Sequence, residues 1–472
     1  MIKTEEMEKL PEGWKRVRFK DYVYFQEGPG LTSDLFEGKE EGIPFLNIRC
    51  IQENRILKEK LQYIDEKIVG KHFRHFLLEE NDLVVSSSGT LGRCIFIKKE
   101  NLPLLLNTSI IRMRPLNHAL DRMYLKYYIE SEYFQKGIYR LSTGSAQSNY
   151  GPSHLKKIYI FLPPLPEQQK IAEILETVDN VIEKTDAIIE KYKRIKQGLM
   201  QDLLTRGIVM NYELGIMNYG SELRKHESGI MNDELGVGSH ESEIGNWELR
   251  DERKHKFKDS LLGKIPEEWE VVSLGDIGKI ITGSTPPTLN SEYYGDHYLF
   301  ISPEDITDSR FIGDSQKKLS ESGFKISRPI PPNSICTVCI GSTIGKVGMT
   351  TSICTTNQQI NSIVPDTDIC NPDALFYLVL FYSQTPLKQE AGLQAVPIVN
   401  KSRFSRIQIP LPPLPEQQRI ASILSQVDEV IEKEQKYKEK LERIKRGLME
   451  DLLTGRIRVN SLIEHGYIEN GK

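Results

Sequence analysis

The 472-residue chain has no apolar run of the kind that crosses a bilayer. Its longest strongly apolar stretch, ALFYLVLFY at 374–382, falls far short of the roughly 18 consecutive residues a spanning helix needs. The N-terminus, MIKTEEMEKL, lacks the apolar core of a secretory signal. Cysteine is sparse, six residues without the dense spacing of a secreted scaffold, so free thiols in a reducing compartment are expected rather than disulfides. These absences point to a soluble, cytoplasmic protein with no membrane partner. An excess of positive charge is missing too. A net charge of −4 and a pI near 6.2 count against avid solitary binding to nucleic acid. They leave open binding through local basic loops, or within an assembly whose other chains neutralise phosphate.

What is present instead is duplication. The length carries a prior of about three domains at roughly 150 residues each, and 39% apolar content can supply their cores. LPPLPEQQ stands at 162–169 and again at 411–418. Residues 167–205 and 416–454 align without a gap and are identical at 25 of 39 positions, including IKxGLMxDLLT at 195–205 and 444–454. The repeat extends upstream more weakly. PEGW (11–14) matches PEEW (266–269), TLGR (90–93) matches TIGK (343–346), and HLKKIYIFLPPLP (154–166) matches RFSRIQIPLPPLP (403–415). An internal repeat decides architecture; the chain is two half-molecules in tandem.

Each half opens with a Trp-containing lead and continues through short β-branched or aromatic runs punctuated by Gly, Pro, Asn and Asp. DLVVSSS (82–88), RCIFI (93–97), SIIRMR (109–114), SICTVCI (334–340) and QINSIV (359–364) read as strands. MYLKYYIESEYFQKGI (123–138) and ALFYLVLFYSQTPLKQ (374–389) read as partly helical. The expected domains are therefore mixed α/β and strand-dominated, over residues 1–161 and 263–410.

A proline connector and a long helix follow each, over 162–207 and 411–458. Leu162 to Pro166 is expected to be extended, because each proline fixes its own φ and biases the residue before it. Pro166 suits a first helical position, and Glu167 complements the positive end of the dipole. Apolar residues then recur at heptad spacing: Ile171, Val178, Tyr192 and Leu199 on one line, Ile174, Val181, Ile188 and Ile195 beside it. The second copy gives Ile420, Val427, Leu441 and Leu448 beside Ile423, Val430, Tyr437 and Ile444. Such a stripe is a coiled-coil pattern, and 39 residues at 1.5 Å make each helix roughly 58 Å long. Two near-identical helices are natural partners for each other, although an ordinary amphipathic helix packed on its own domain would carry a similar stripe. Gly198 and Gly447 are expected to mark a close crossing or a kink. Between the halves, 208–262 is expected to be a flexible linker, with the imperfect repeats MNYELG (210–215), IMNYG (216–220) and IMNDELG (230–236). Residues 459–472 form a tail.

This arrangement resembles the specificity subunit of Type I restriction-modification systems, over nearly the whole chain. The resemblance implies an α+β architecture with two target-recognition domains, each reading one half of a split duplex DNA sequence. It implies that the two long helices pair as an antiparallel coiled coil, a pseudo-twofold spacer that docks modification (methyltransferase) subunits, two of them, and restriction subunits. It also implies a chain that is not an enzyme. N6-adenine methylation, ATP-dependent translocation and cleavage belong to the partners, and the chain needs no cofactor. A compact connection between the halves would depart least from this pattern, so the 208–247 insertion is expected to loop out.

Several motifs have blander explanations. GSTIGK (341–346) has three residues between its glycines and Val347 after its lysine, whereas a phosphate-binding loop needs four and a Ser or Thr; a tight turn between strands is expected. Cys336 and Cys339 form a CxxC, but SICTVCI looks like a buried strand and no fourfold ligand set accompanies it, so no metal is expected. NPD (371–373) lacks the aromatic residue of a methyltransferase loop, and Glu304 and Asp305 are ordinary surface carboxylates. For DNA contact the better candidates are polar loops, since Gln and Asn pair bidentately with adenine. STGSAQSNYGPSH (142–154) offers Ser145, Gln147, Asn149 and Tyr150; AGLQAVPIVNKSR (391–403) offers Gln394, Asn400 and Lys401; GSTPPTLNSEYYG (283–295) offers Ser284 and Thr285. Arg74, His75, Arg93, Lys317, Lys318 and Lys346 are candidate phosphate contacts. The same residues fit a bipartite Type II recognition subunit, and the helices alone fit a protein-binding scaffold.

Overall fold

Strands form where the β-branched and aromatic runs stand, and turns where Gly, Asn and Pro interrupt them. The computed structural model describes residues 10–32, 35–37, 41–52, 55–88, 92–142, 149–210, 247–391 and 398–463. The chain divides into two compact units, Met1–Asp186 with Tyr437–Lys472, and Ala187–Lys436. Each is mixed α/β.

In the first unit an antiparallel sheet runs Val23–Glu27, Ile110–Pro115, Leu83–Ser86, Cys94–Phe96 in spatial order. A mixed sheet runs Leu105–Leu106, Ile43–Leu46, Gln62–Ile64, Phe36–Glu37. The second unit enlarges the same plan to two five-stranded sheets. One is Gly278–Thr282, Ile360–Pro365, Ile335–Val338, Val347–Thr350, Phe311–Ile312; the other is Tyr294–Gly295, Lys317–Leu319, Tyr298–Ile301, Cys354–Thr356, Pro329–Ile330. Leu83–Ser86 and Ile335–Val338 are buried at every position, which is why they read as continuous apolar runs rather than alternating ones. The helices Arg122–Glu130 and Pro372–Tyr382 cover these sheets. Asp121 caps the first through the amides of Met123 (2.8 Å) and Tyr124 (2.9 Å), and Asn371 caps the second through that of Ala374 (3.0 Å). The Asn-Pro-Asp sequence is thus a helix start, with Pro372 at the first position.

The lead and the end of each domain are zipped together. Lys15–Arg18 pairs antiparallel with Tyr159–Leu162, and Glu270–Ser273 with Gln408–Leu411. That places Trp14 against Glu167 and Trp269 against Glu416, each indole Nε1 donating to the carboxylate at 3.0 Å. Both carboxylates are buried, and each is also held by an arginine. Arg458 donates to Glu167 at 2.6 and 2.9 Å, and Arg250 donates to Glu416 through both of its terminal nitrogens, Nη2 at 3.0 Å. The next residues, Gln168 and Gln417, are equally buried and pin the loop before each covering helix. Gln168 donates to the carbonyls of Ala119 (2.9 Å) and Pro163 (2.8 Å) and accepts from the Asp121 amide (2.8 Å); Gln417 makes the matching set to Ile369, Pro412 and Asn371. The helix starts one residue earlier than the sequence predicts, at Leu165 and Leu414, making Pro166 the second helical residue.

The long helices, Leu165–Thr205 and Leu414–Leu453, are continuous. In the first unit Asp179 pairs with Lys445 and Asp186 with Lys438, both at 2.6 Å. Seven residues forward on one helix thus match seven back on the other. Ile171 and Leu175 share a core with Met449 and Leu452. In the second unit Asp428 pairs with Lys196 at 2.6 Å, and Met200 and Leu203 share a core with Ile420 and Leu424. The buried line differs from the expected one. Ile171, Leu175, Thr185, Ile189, Met200 and Leu203 are buried, as are Ile420, Leu424, Ile431, Leu441, Met449 and Leu452. Of the predicted positions, Ile171, Ile420 and Leu441 lie on that line. Ile174, Val178, Val181, Tyr192, Ile195, Leu199, Ile423, Val427, Val430 and Leu448 are half-buried. Ile188, Tyr437 and Ile444 are exposed, at 39%, 48% and 44%. The apolar character of the second line misled because Thr185, Lys196 and Lys445 occupy seam positions instead, where their polar ends find partners.

The expected linker is partly built structure. Ile208–Met210 pairs antiparallel with Trp247–Leu249, Met210 opposite Trp247, and Phe257–Ser260 with Gly263–Pro266. The internal repeats at 211–246 lie outside the described residues. Gly198 and Gly447 mark no close crossing, since a Cβ at either meets nothing within 4 Å. Gly207 is the constrained one. Its φ is +65°, and a Cβ there would lie 2.3 Å from Glu416 Oε1 and 2.4 Å from the Trp269 ring.

Two outcomes follow from these contacts. Gly207→Ala should lower unfolding stability in urea by about 3 kcal/mol, through left-handed strain and a disrupted buried ion pair, while Gly198→Ala should raise it by about 1 kcal/mol. Burial raises the Asp179 carboxyl, but Lys445 and Lys126 outweigh it and leave its pKa below the ordinary 3.8. A carboxyl depressed on folding contributes stability in full above its unfolded value and loses it as pH falls through the folded one. The thermal midpoint should therefore drop more steeply below pH 3.8 in the wild type than in Asp179→Asn.

Candidate nucleic-acid interface

At one end of each central sheet, polar turns converge. In the second unit the centre is the turn between Cys354–Thr356 and Ile360–Pro365, with sequence Asn357, Gln358, Gln359. Asn357 Nδ2 donates to Gln359 Oε1 at 2.9 Å, and Asn357 Oδ1 accepts from the Gln359 amide at 3.0 Å. The chain leaving Gly278–Thr282 passes directly over this turn. Gly283 donates to Ile360 O (3.1 Å) and Ser284 to Thr356 O (2.9 Å), and a Cβ on Gly283 would lie 2.1 Å from Asn357 O. On the other side Ile340 bridges Ile398, and the Val399 amide donates to Cys339 O at 2.9 Å.

The first unit repeats the geometry with other residues. Its turn is Asn107, Thr108, Ser109, and Gly28 lies against it, a Cβ there falling 2.4 Å from the Asn107 carbonyl carbon. The Ser87 amide donates to Ser109 O (2.9 Å), and the Tyr150 amide to Ser87 O (3.0 Å). Glu27, at the end of its strand, has its carboxyl pushed upward by burial and faces Gly151.

The predicted residues fall into distinct groups. Thr285 is exposed and its hydroxyl donates to Gln358 Oε1; Ser284 lies beside it, its hydroxyl buried. Asn149 is exposed at the converging turns. Tyr150 is not at the surface: it is 3% exposed, sits in the core with Cys94, and burial holds its phenol well above the ordinary range. A tyrosine following a polar loop reads as a contact residue, but its ring completes the apolar core. Asn400 is exposed and caps the short helix Lys401–Ser405 through the Arg403 amide (3.0 Å); Lys401 is exposed at its start. Ser145, Gln147 and Gln394 lie outside the described residues.

Arg93 and Lys346 do matching work. Each follows a left-handed glycine, Gly92 (φ +77°) or Gly345 (φ +94°), and each exposed cation reaches a carbonyl, Ile51 O at 3.2 Å and Ile306 O at 2.9 Å. GSTIGK is the tight turn between Ile335–Val338 and Val347–Thr350. Lys317 is exposed, two strands from Thr355 in register, and Lys318 pairs with Asp314 at 2.9 Å. Cys336 and Cys339 are buried free thiols, pushed up to about 12 by burial.

Arg74 and His75 are exposed on the turn Arg74–Phe76, and that turn has an unusual anchor. Buried Arg112 donates to His75 O (3.0 Å) and Leu77 O (2.8 Å) and faces Asp82, fully buried, at 3.4 Å; Arg114 also holds Asp82. The sequence reading missed this cluster and both central turns. The Asn-Gln pair just before the predicted strand QINSIV (359–364) was the available signal for the second.

The family described as Type I restriction modification DNA specificity domain matches twice, over residues 11–194 and 266–443. The putative type I restriction enzyme MjaX specificity subunit of Methanocaldococcus jannaschii is 27% identical, covering 98% of this chain and 97% of its own. The MjaVIII specificity subunit of the same organism is 25% identical over 96% and 95%, and the HindI specificity subunit of Haemophilus influenzae is 39% identical over 31% and 33%. A crystal structure of the Type I restriction-modification S subunit from M. genitalium shares the fold, with a TM-score of 0.53 at 14% identity over 95% of this chain and 98% of that one.

Replacing Arg112 by Leu should leave Asp82 and the His75 carbonyl short of partners. A loss of about 3 kcal/mol is expected, with amide exchange accelerated across 69–77 and unchanged in the second unit. With two matched copies of one domain and full-length relatives of one kind, the chain belongs to the Type I restriction-modification DNA specificity family.

Proposed function

We propose that this chain is the DNA-specificity subunit of a restriction-modification assembly, binding a split duplex target with one half-site per unit. The observation that carries this reading is the double match, each copy containing its own set of converging polar turns. In this reading base edges are read by Asn149, Thr285 and the turn residues at 107–109 and 357–359, as direct readout requires. Arg74, His75, Arg93, Lys317, Lys346 and Lys401 contribute phosphate contacts that set register without carrying sequence. A net charge of −4 fits a subunit that binds tightly only with partner chains sharing the phosphate neutralisation.

The long helices act in this reading as an antiparallel coiled coil that sets how many base pairs go unread, since half-site spacing mirrors protein geometry. Their outer faces receive methyltransferase subunits, and the complex recruits restriction subunits. Methylation, translocation and cleavage belong to those partners. The insertion loops out of this framework; what supports that is the pairing of Met210 with Trp247 on either side of it.

Selection from a random duplex pool by the chain assembled with its modification subunits should return two short motifs at one fixed separation. Replacing 211–246 by an Asn-Gly turn should leave that separation unchanged. A single continuous motif would overturn the bipartite reading, and an altered separation would overturn the role given to the insertion.

A further inference from the structure

We propose that Gln358 reads an adenine edge in the major groove of the half-site taken by the second unit. The proposal rests on the reading of the chain as a DNA-specificity subunit and assigns one base contact within it.

Three observations support it. The turn is rigidly placed: Ile360 N bonds Asn357 O at 3.2 Å, and the overlying Gly283 leaves no room for a side chain. Its three amides are unequal. Asn357 and Gln359 are half-buried and bonded to each other, whereas Gln358 is exposed, with Thr285 the donor to its carbonyl oxygen. That contact uses one lone pair of Oε1. The second lone pair and both Nε2 hydrogens take no hydrogen bond among the described residues, and the Thr285 contact limits how the amide can turn. An acceptor and a donor side by side is the pattern that matches adenine, whose N6 amino group donates and whose N7 accepts. Thirdly, Arg328 is exposed and donates to Thr282 O at 3.1 Å, so a cation suited to phosphate stands at the start of the same loop. The corresponding residue of the first unit is Thr108, whose hydroxyl is turned to Asn107 Oδ1 at 3.1 Å. The two units therefore do not share this reader.

The test uses the full chain assembled with its modification subunits, selecting from a random duplex pool as wild type, Gln358→Ala and Thr285→Val. Both side chains are exposed, so neither change disturbs the core. The wild type should prefer adenine at one position of one half-site. Gln358→Ala should reduce that preference about tenfold or more, and Thr285→Val should reduce it partially, with the other half-site unchanged. If Gln358→Ala keeps every wild-type base preference, or weakens all sequences equally, the proposal is wrong. If the wild-type complex itself yields no split motif, the specificity reading fails first and takes this assignment with it.

Discussion

A buried carboxylate at the start of each long helix is the contact on which both units depend. Glu167 and Glu416 are among the most enclosed charges in the protein, and an unpartnered charge there would cost several kcal/mol. Each is met by an indole N–H and a guanidinium. The indole comes from the lead of the domain, the carboxylate from its exit, and the arginine from beyond the far end of the other long helix. One side chain thus joins three stretches of chain that are remote in sequence. That explains why LPPLPEQQ and PE(G/E)W are duplicated together: the prolines deliver the chain, and the Glu and Gln lock it.

The two locks reach the same chemistry by different routes. In the first unit Arg458 follows the second helix closely. In the second, the helix ends at Thr205, turns at Gly207, and runs into a strand whose partner brings Arg250 back to Glu416. Ile208 N also bonds that carboxylate at 2.8 Å. The hairpin flanking the insertion is therefore part of the lock. This is why the sequence reading, which saw polar repeats from 208 to 247 and ran its linker on to 262, missed the paired strands on either side of 211–246.

Much of the architecture was legible because it is written twice. The strands at 83–86, 94–96, 110–115, 335–338 and 360–365 lie within the predicted runs or within a residue of them, since buried β-branched runs leave few alternatives. The helix seam was legible in period but not in phase. Residues 174, 181, 188 and 195 are apolar in sequence, yet the packed line passes through Thr185, whose hydroxyl donates to the Val181 carbonyl, and through Lys196, Lys438 and Lys445, whose apolar stems lie in the seam while their heads find carboxylates. The candidate interface was least legible. Loop composition pointed to polar side chains, but which ones face outward depends on long-range contacts. Tyr150 turns into the core, Asn400 caps a helix, and the 357–359 turn lies under a loop that begins seventy residues earlier.

The uneven identity of the two halves follows from the same physics. Asp179 and Asp428 are repeat equivalents, as are Lys196 and Lys445. Because the helices meet in opposed directions within each unit, the pair Asp179–Lys445 and the pair Asp428–Lys196 are one interaction made twice. Tyr127 and Tyr377 extend the match, donating to these aspartates at 2.9 and 2.7 Å. A helix residue must fit its counterpart's surroundings, so the two copies are constrained to resemble each other. The domain interiors carry no such requirement. Where the first unit buries Arg112 against Asp82, the second has Ser362 against Cys336 at 3.4 Å. A charged contact that anchors a turn in one unit is replaced by a neutral one in the other, so the helix pairing repeats while the domain interiors diverge.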